Sequence, residues 1–151
     1  LPVSSEVPAP GSAIFCPKEK KEWLVSVQQV EQYLDDPRFL LVDSRAAERY
    51  RGEREPIDPV AGHIPGAISA PFLENIGEDG LFLPKEKLEK RFDRIMGIHP
   101  PEQTIFYCGS GVTACHNLLA LSHLGRHGAK LFPGSWSEWI AGKKRPVEKN
   151  S

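Results

Sequence analysis

At 151 residues, with 40% apolar and 26% charged side chains, the chain has the composition of one soluble globular domain with room for tails. A formal net charge of −1 leaves no basic surplus for nucleic acid or an anionic membrane surface, and no apolar run approaches the roughly 20 residues of a membrane-spanning helix. Three cysteines, Cys16, Cys108 and Cys115, sit at spacings that suit neither a disulfide framework nor structural zinc. Free thiols in a reducing compartment are therefore expected: the cytoplasm, or the mitochondrial matrix in a eukaryote.

Residues 1–21 hold Pro2, Pro8, Pro10, Gly11 and Pro17 and read as a linker or extended arm. The start at Leu1, with no leader pattern, suggests a fragment with something upstream. A folded domain is expected over 22–147. Ser26, with Gln29 three residues on, forms a capping-box pattern opening a short helix to about Leu34. Phe39-Leu40-Leu41-Val42 is a continuous apolar run, as in a strand buried on both faces of a parallel sheet. Residues 51–66 are polar and rich in Gly and Pro, an excursion loop. Ala67-Ile68-Ser69-Ala70 reads as a second strand. Leu88, Phe92 and Ile95 mark a helix from Pro84 to Met96, stopped by Gly97. Thr104-Ile105-Phe106-Tyr107 is a third strand, Thr113 to Leu124 a helix stopped by Gly125, and Ala129-Lys130-Leu131-Phe132 a fourth strand. Alternating strands and helices predict an α/β fold, a central mainly parallel sheet with helices on both faces. Residues 143–151 are charged and expected to fray, with 148–151 a disordered tail.

The chemistry concentrates at Tyr107-Cys108-Gly109-Ser110-Gly111-Val112-Thr113, where a buried strand becomes a helix through two glycines. Ligands of open α/β sheets sit at the carboxyl ends of strands. A helix start offers unpaired N–H groups and a positive dipole end, and glycines let those groups converge on an anion. A cysteine at that rim has its thiolate stabilised. Cleavage of phosphate esters through such a cradle uses an arginine fork six residues after the cysteine, where this chain has Ala114. Transfer of a sulfane sulfur through a persulfide needs no such clamp, no metal and no cofactor.

Two further segments, Ala61-Gly62-His63-Ile64-Pro65-Gly66-Ala67-Ile68 and Phe132-Pro133-Gly134-Ser135-Trp136-Ser137-Glu138-Trp139, together with Asp43-Ser44-Arg45, make the chain resemble the rhodanese superfamily. The resemblance spans roughly residues 26–147. It is closest to the cysteine-bearing second half of two-domain thiosulfate and 3-mercaptopyruvate sulfurtransferases. It implies Cys108 as nucleophile, amides of Gly109, Ser110, Gly111, Val112 and Thr113 holding the sulfur, Arg49 gripping the donor's anionic group, and Asp43 and Arg45 supporting the base of the site. It also implies thiosulfate or 3-mercaptopyruvate as donor, a thiol or cyanide as acceptor, and an N-terminal rhodanese-like domain as partner. The loop is similar to that of the mercaptopyruvate enzymes, since Gly109-Ser110 supplies no cation for a sulfonate. The second arginine those enzymes place after a Glu-Pro pair is replaced by Ile57, with Arg54 nearby. A sulfur-relay module served by a protein partner, or a non-catalytic interaction domain, are the alternatives.

Other candidates read more simply. His63 is expected to be structural. His123 and His127 are separated by the helix-breaking Gly125, so they share no metal-binding face. Ser110 suits either a proton relay or bonding to loop amides. Trp136 and Trp139 suit packing. Cys115 suits a helix position, and Cys16 has no evident role.

Overall fold

The computed structural model describes Ser5 and residues 11–149. The arm expected over 1–21 lies partly outside the described residues. Within them, residues 11–20 are exposed and adopt neither helix nor strand.

Four strands, β1 (Leu40–Asp43), β2 (Ile68–Ser69), β3 (Thr104–Tyr107) and β4 (Lys130–Leu131), form one sheet in the order β2-β1-β3-β4. Every pairing is parallel. The two longest strands are central and in register, Leu40 opposite Thr104 and Asp43 opposite Tyr107. Five helices accompany them: α1 (Val27–Tyr33), α2 (Ala47–Arg51), α3 (Lys85–Met96), α4 (Val112–His123) and α5 (Ser135–Ala141). The capping box of α1 is formed as expected, with Ser26 Oγ accepting from Gln29 N and Gln29 Oε1 accepting from Ser26 N.

Strand alternation divides the core into two layers. Leu41, Ile105 and Tyr107 face one side and pack with Val27 and Val30 of α1, Tyr50 of α2, and Trp136 and Trp139 of α5. Val42, Phe106 and Cys108 face the other, with Leu88, Phe92 and Met96 of α3 and Ala114, Ala120 and Leu121 of α4. Helices therefore cover both faces, as the continuous apolar strands require. Trp136 and Trp139 are wholly buried and anchor the first layer. Each indole removes on the order of 200 Å² from water, at most roughly 5 kcal/mol by area.

One expectation is corrected. The end of the chain is not frayed throughout: Glu148 pairs with His63 through reciprocal backbone bonds of 2.9 and 3.0 Å. Gly62 permits that approach, because its φ is +125° and a Cβ there would stand 2.5 Å from Glu148 O. Residues 150–151 of the expected tail lie outside the described residues. The helix α5 is one that the sequence pattern does not announce. It has only seven residues, and its first turn depends on partners from another loop.

Candidate active site

Chain order places β1 and β2 on one side of the sheet and β3 and β4 on the other, so connections diverge between β1 and β3. The crevice beyond the carboxyl ends at such a divergence is where α/β sheets bind ligands. Two segments meet there: Ser44 and Arg45 following β1, and Cys108 to Gly111 following β3. Ser44 N donates to Tyr107 O at 2.8 Å and ties them together.

Cys108 is 2% exposed and belongs to the layer under α3 and α4. Its backbone is held on both sides. Its N–H donates to Ser135 Oγ at 3.1 Å, and its carbonyl accepts from Trp136 N at 2.9 Å. The next carbonyl, Gly109 O, accepts from Ser137 N at 3.0 Å. The loop thus caps the first turn of α5 with two carbonyls. A trans peptide sets its C=O and N–H in opposite directions, and no described peptide bond is cis. The amides of Gly109 and Ser110 therefore point away from α5.

Ser135 is the one described non-glycine residue with positive φ, at +54°. That conformation costs about 1 kcal/mol or more outside glycine. It is offset by two bonds of the buried hydroxyl, which donates to Phe132 O at 2.9 Å and accepts from Cys108 N. Gly111, the N-cap of α4, has φ +82°, and a Cβ there would lie 2.7 Å from Pro133 O. No side chain caps α4, so the N–H groups of Val112, Thr113 and Ala114 are left without intrahelical acceptors. Ser110 and Val112 are exposed, and Thr113 is half-buried.

A chain of ion pairs flanks the loop. Arg45, with its side chain 1% exposed, holds both Asp43 oxygens, Glu55 Oε2 at 3.2 Å and Gly62 O at 2.6 Å, and lies over the Trp136 ring at 4.8 Å. Burial pushes its guanidinium towards losing its proton, but the Asp43 hydrogen bonds together with the negative charges of Asp43 and Glu55 outweigh this and hold its pKa above the ordinary value. Arg49 closes on Glu55 Oε1 at 2.7 Å and on Asp58 Oδ2 at 3.2 Å. Burial pushes the Glu55 carboxyl up, while the Arg49 hydrogen bonds and the N–H groups of Asp58 and Ile57 win and hold it below its ordinary value. The Arg49 guanidinium lies 3.5 Å from where a Gly109 Cβ would sit, so the fork expected to meet an anion is beside the cysteine loop. Arg45 reaches the loop region through its contact with the Trp136 ring and through Glu55, which it shares with Arg49, and Asp43 lies opposite Tyr107 in the sheet.

Some sequence candidates are not brought to this place. Arg54 is exposed and pairs with none of these carboxylates among the described ion pairs; Ile57, where a second arginine is expected, is 75% exposed. His63 is buried, stacked on Tyr50, and its Nδ1–H donates to Tyr50 O at 2.7 Å, a structural role. Cys115 is exposed on α4, with its thiol pKa raised first by partial burial and then by the Cys108 thiol. Residues that the sequence did not single out are Glu55, Asp58, Ser135 and Ser137. For Ser135 the pattern Pro133-Gly134-Ser135-Trp136 was visible, but not the bond to Cys108. Among the described residues no group of three or more His, Cys, Asp or Glu is placed to hold a metal ion.

A rhodanese-like domain model matches residues 26–142. A probable 3-mercaptopyruvate sulfurtransferase of Pseudomonas aeruginosa is 52% identical over 124 residues, which is 82% of this chain and 44% of that protein. The thiosulfate sulfurtransferase of Rattus norvegicus is 39% identical over 97% of this chain and 50% of its own length. The 3-mercaptopyruvate sulfurtransferase of Homo sapiens is 35% identical over 98% and 50%. The chain thus spans about half the length of these relatives. An anaerobic ergothioneine biosynthesis enzyme from Chlorobium limicola shares the fold, with a TM-score of 0.77 and 24% identity over 86% of this chain and 32% of that one.

Proposed function

This chain belongs to the rhodanese-like domain family, and from that membership we propose that it is the cysteine-bearing half of a sulfurtransferase. In this proposal Cys108 is the nucleophile. Its thiolate attacks the outer sulfur of thiosulfate, the S–S bond breaks, and sulfite leaves with the electron pair. With 3-mercaptopyruvate the C–S bond breaks instead, and the enolate left behind takes a proton to become pyruvate. Either route leaves a Cys108 persulfide. A thiolate or cyanide then attacks the outer sulfur and releases the Cys108 thiolate, a two-step covalent cycle.

The observation that carries this reading is the placing of Cys108 at the carboxyl end of β3, before the uncapped start of α4, with the next residue, Gly109, beside Arg49. Amides of Gly109, Ser110, Gly111, Val112 and Thr113 would hold the thiolate and the outer sulfur, as helix N-termini hold anions. Arg49 would bind the donor's carboxylate or sulfonate. Asp43 and Arg45 would fix the floor through Trp136. Gly109-Ser110 adds no cation and Ile57 stands where a second arginine is expected, so Arg49 carries the anion alone on this chain. We further propose a second, N-terminal rhodanese-like domain as partner in the whole protein, and a reducing compartment such as the cytoplasm or mitochondrial matrix, which suits three free cysteines.

Intact mass after incubation with thiosulfate or 3-mercaptopyruvate tests the proposal. A gain of about one sulfur is expected in the unaltered chain and in Cys115→Ser, and none in Cys108→Ser. A gain that survives loss of Cys108 would sink it.

A further inference from the structure

The charges around Arg49 do not balance. Two guanidiniums, Arg45 and Arg49, face three carboxylates, Asp43, Glu55 and Asp58. The three acids are not equally anchored. Asp43 takes three side-chain bonds from Arg45, the shortest 2.6 Å, and a fourth from Arg45 N. Glu55, with its side chain 3% exposed, spans both arginines and accepts from Ile57 N and Asp58 N. Asp58 has one contact with Arg49, at 3.2 Å, and one with the Ser137 hydroxyl, at 2.8 Å. That hydroxyl has a single proton and also lies 2.9 Å from Gly109 O, so it serves Asp58 only part of the time.

Asp58 is also the acid beside the cysteine loop. Its Oδ2 stands 3.9 Å from where a Gly109 Cβ would be, next to the Arg49 guanidinium at 3.5 Å. The surplus negative charge therefore sits on the most weakly held carboxylate, on the arginine face nearest the cysteine loop.

We infer that Asp58 is a specificity-determining residue: in the resting chain its carboxylate holds Arg49 Nη2, one of the two guanidinium nitrogens that face the cysteine loop, and its negative charge opposes an incoming anionic donor. The inference rests on the proposed sulfur transfer for the identity of the donor, not for the exchange itself. A donor anion binds by replacing Asp58 on Arg49 Nη2, and the Asp58 carboxylate turns to water or to Ser137. An anion that offers Arg49 no more than a carboxylate does gains nothing from this exchange. One that also reaches the free amides at the start of α4 gains additional charged hydrogen bonds. Asp58 thus rejects simple anions and admits those long enough to span Arg49 and the cradle.

The test uses thiosulfate as probe and needs no turnover. In a Cys108→Ser background, Asp58→Asn keeps the shape and an acceptor for Ser137 while removing the charge. Its affinity for thiosulfate is expected to be about five- to tenfold tighter. Asp58→Asn should have no effect once Arg49 is Ala. With Cys108 restored, Asp58→Asn should lower the KM for thiosulfate by a similar factor, with kcat moving less, and inhibition by sulfate should strengthen. An unchanged or weaker affinity, or no binding in either variant, overturns the inference. Tighter binding without persulfide on the unaltered chain would instead sink the sulfur-transfer proposal and leave the exchange standing.

Discussion

The Ser135 hydroxyl accepts the backbone N–H of Cys108 at 3.1 Å while donating to Phe132 O, from a residue held at φ +54°. A strained backbone is thus maintained beside the nucleophile by the bonds that position it. Strain of this kind persists only where its surroundings over-determine it.

Ser135→Ala should expose this arrangement. It keeps the unfavourable φ, removes the acceptor, and leaves a buried Cys108 N–H unpaired. A loss of about 1–3 kcal/mol in denaturant unfolding is expected, with slower persulfide loading. Ser135→Gly relieves the backbone and should cost less stability than Ala while loading equally slowly. If Gly and Ala are equally destabilised, the backbone strain contributes nothing.

The two loop glycines should differ. Gly111→Ala puts a Cβ 2.7 Å from Pro133 O at φ +82°, where neither backbone yields cheaply. About 2 kcal/mol or more should be lost, lowering Tm by several degrees. Gly109→Ala meets only the ends of the Arg49 and Asp58 side chains, at 3.5 and 3.9 Å, and should stay within about 0.5 kcal/mol of the unaltered chain. Thermal melts of both variants check this.

Arg49→Ala should raise the donor KM about tenfold or more, the equivalent of one charged hydrogen bond at 1.5–3 kcal/mol. Because Arg49 also neutralises Glu55 and Asp58, the variant should lose stability as well, against the simpler sequence-based expectation of a purely substrate-binding arginine. Steady-state kinetics and a melt on the same preparation separate the two effects. A KM that stays constant would place the anion elsewhere.

Acid should loosen the same cluster. The Glu55 pKa is depressed in the folded chain below its ordinary value of 4.5, so its contribution to stability is fully present above that value. It is lost as pH falls through the lower folded value, because the unfolded chain takes up the proton first. Glu55→Gln should therefore be less stable than the unaltered chain at neutral pH, and the gap should narrow progressively below about pH 4.5. Chemical unfolding from pH 3 to 7 measures it, and a gap that does not vary with pH would show that Glu55 is not stabilised by its charge.

What the sequence determined by itself is what local chemistry can encode. Ser26 and Gln29 announce their own capping box because both partners lie within one turn. The apolar runs ending at Asp43 and Tyr107 announce strands buried on both faces, since only a parallel sheet under two helical layers leaves no polar side. Cys108 stands out because a strand, glycines and a helix follow one another without interruption. The tertiary structure decided everything that depends on distant partners. Asp58 meets Ser137 across 79 positions, Ser135 meets Cys108 across 27, and Glu148 closes on His63 from the far end of the chain. The helix α5 belongs with these. Ser and Trp are middling helix formers, and its first-turn N–H groups of Trp136 and Ser137 are satisfied by carbonyls of Cys108 and Gly109 rather than by its own side chains. A periodic pattern reports which faces are buried, whereas the partner of a buried charge or an orphaned amide is set by chain segments that meet only when the sheet has formed.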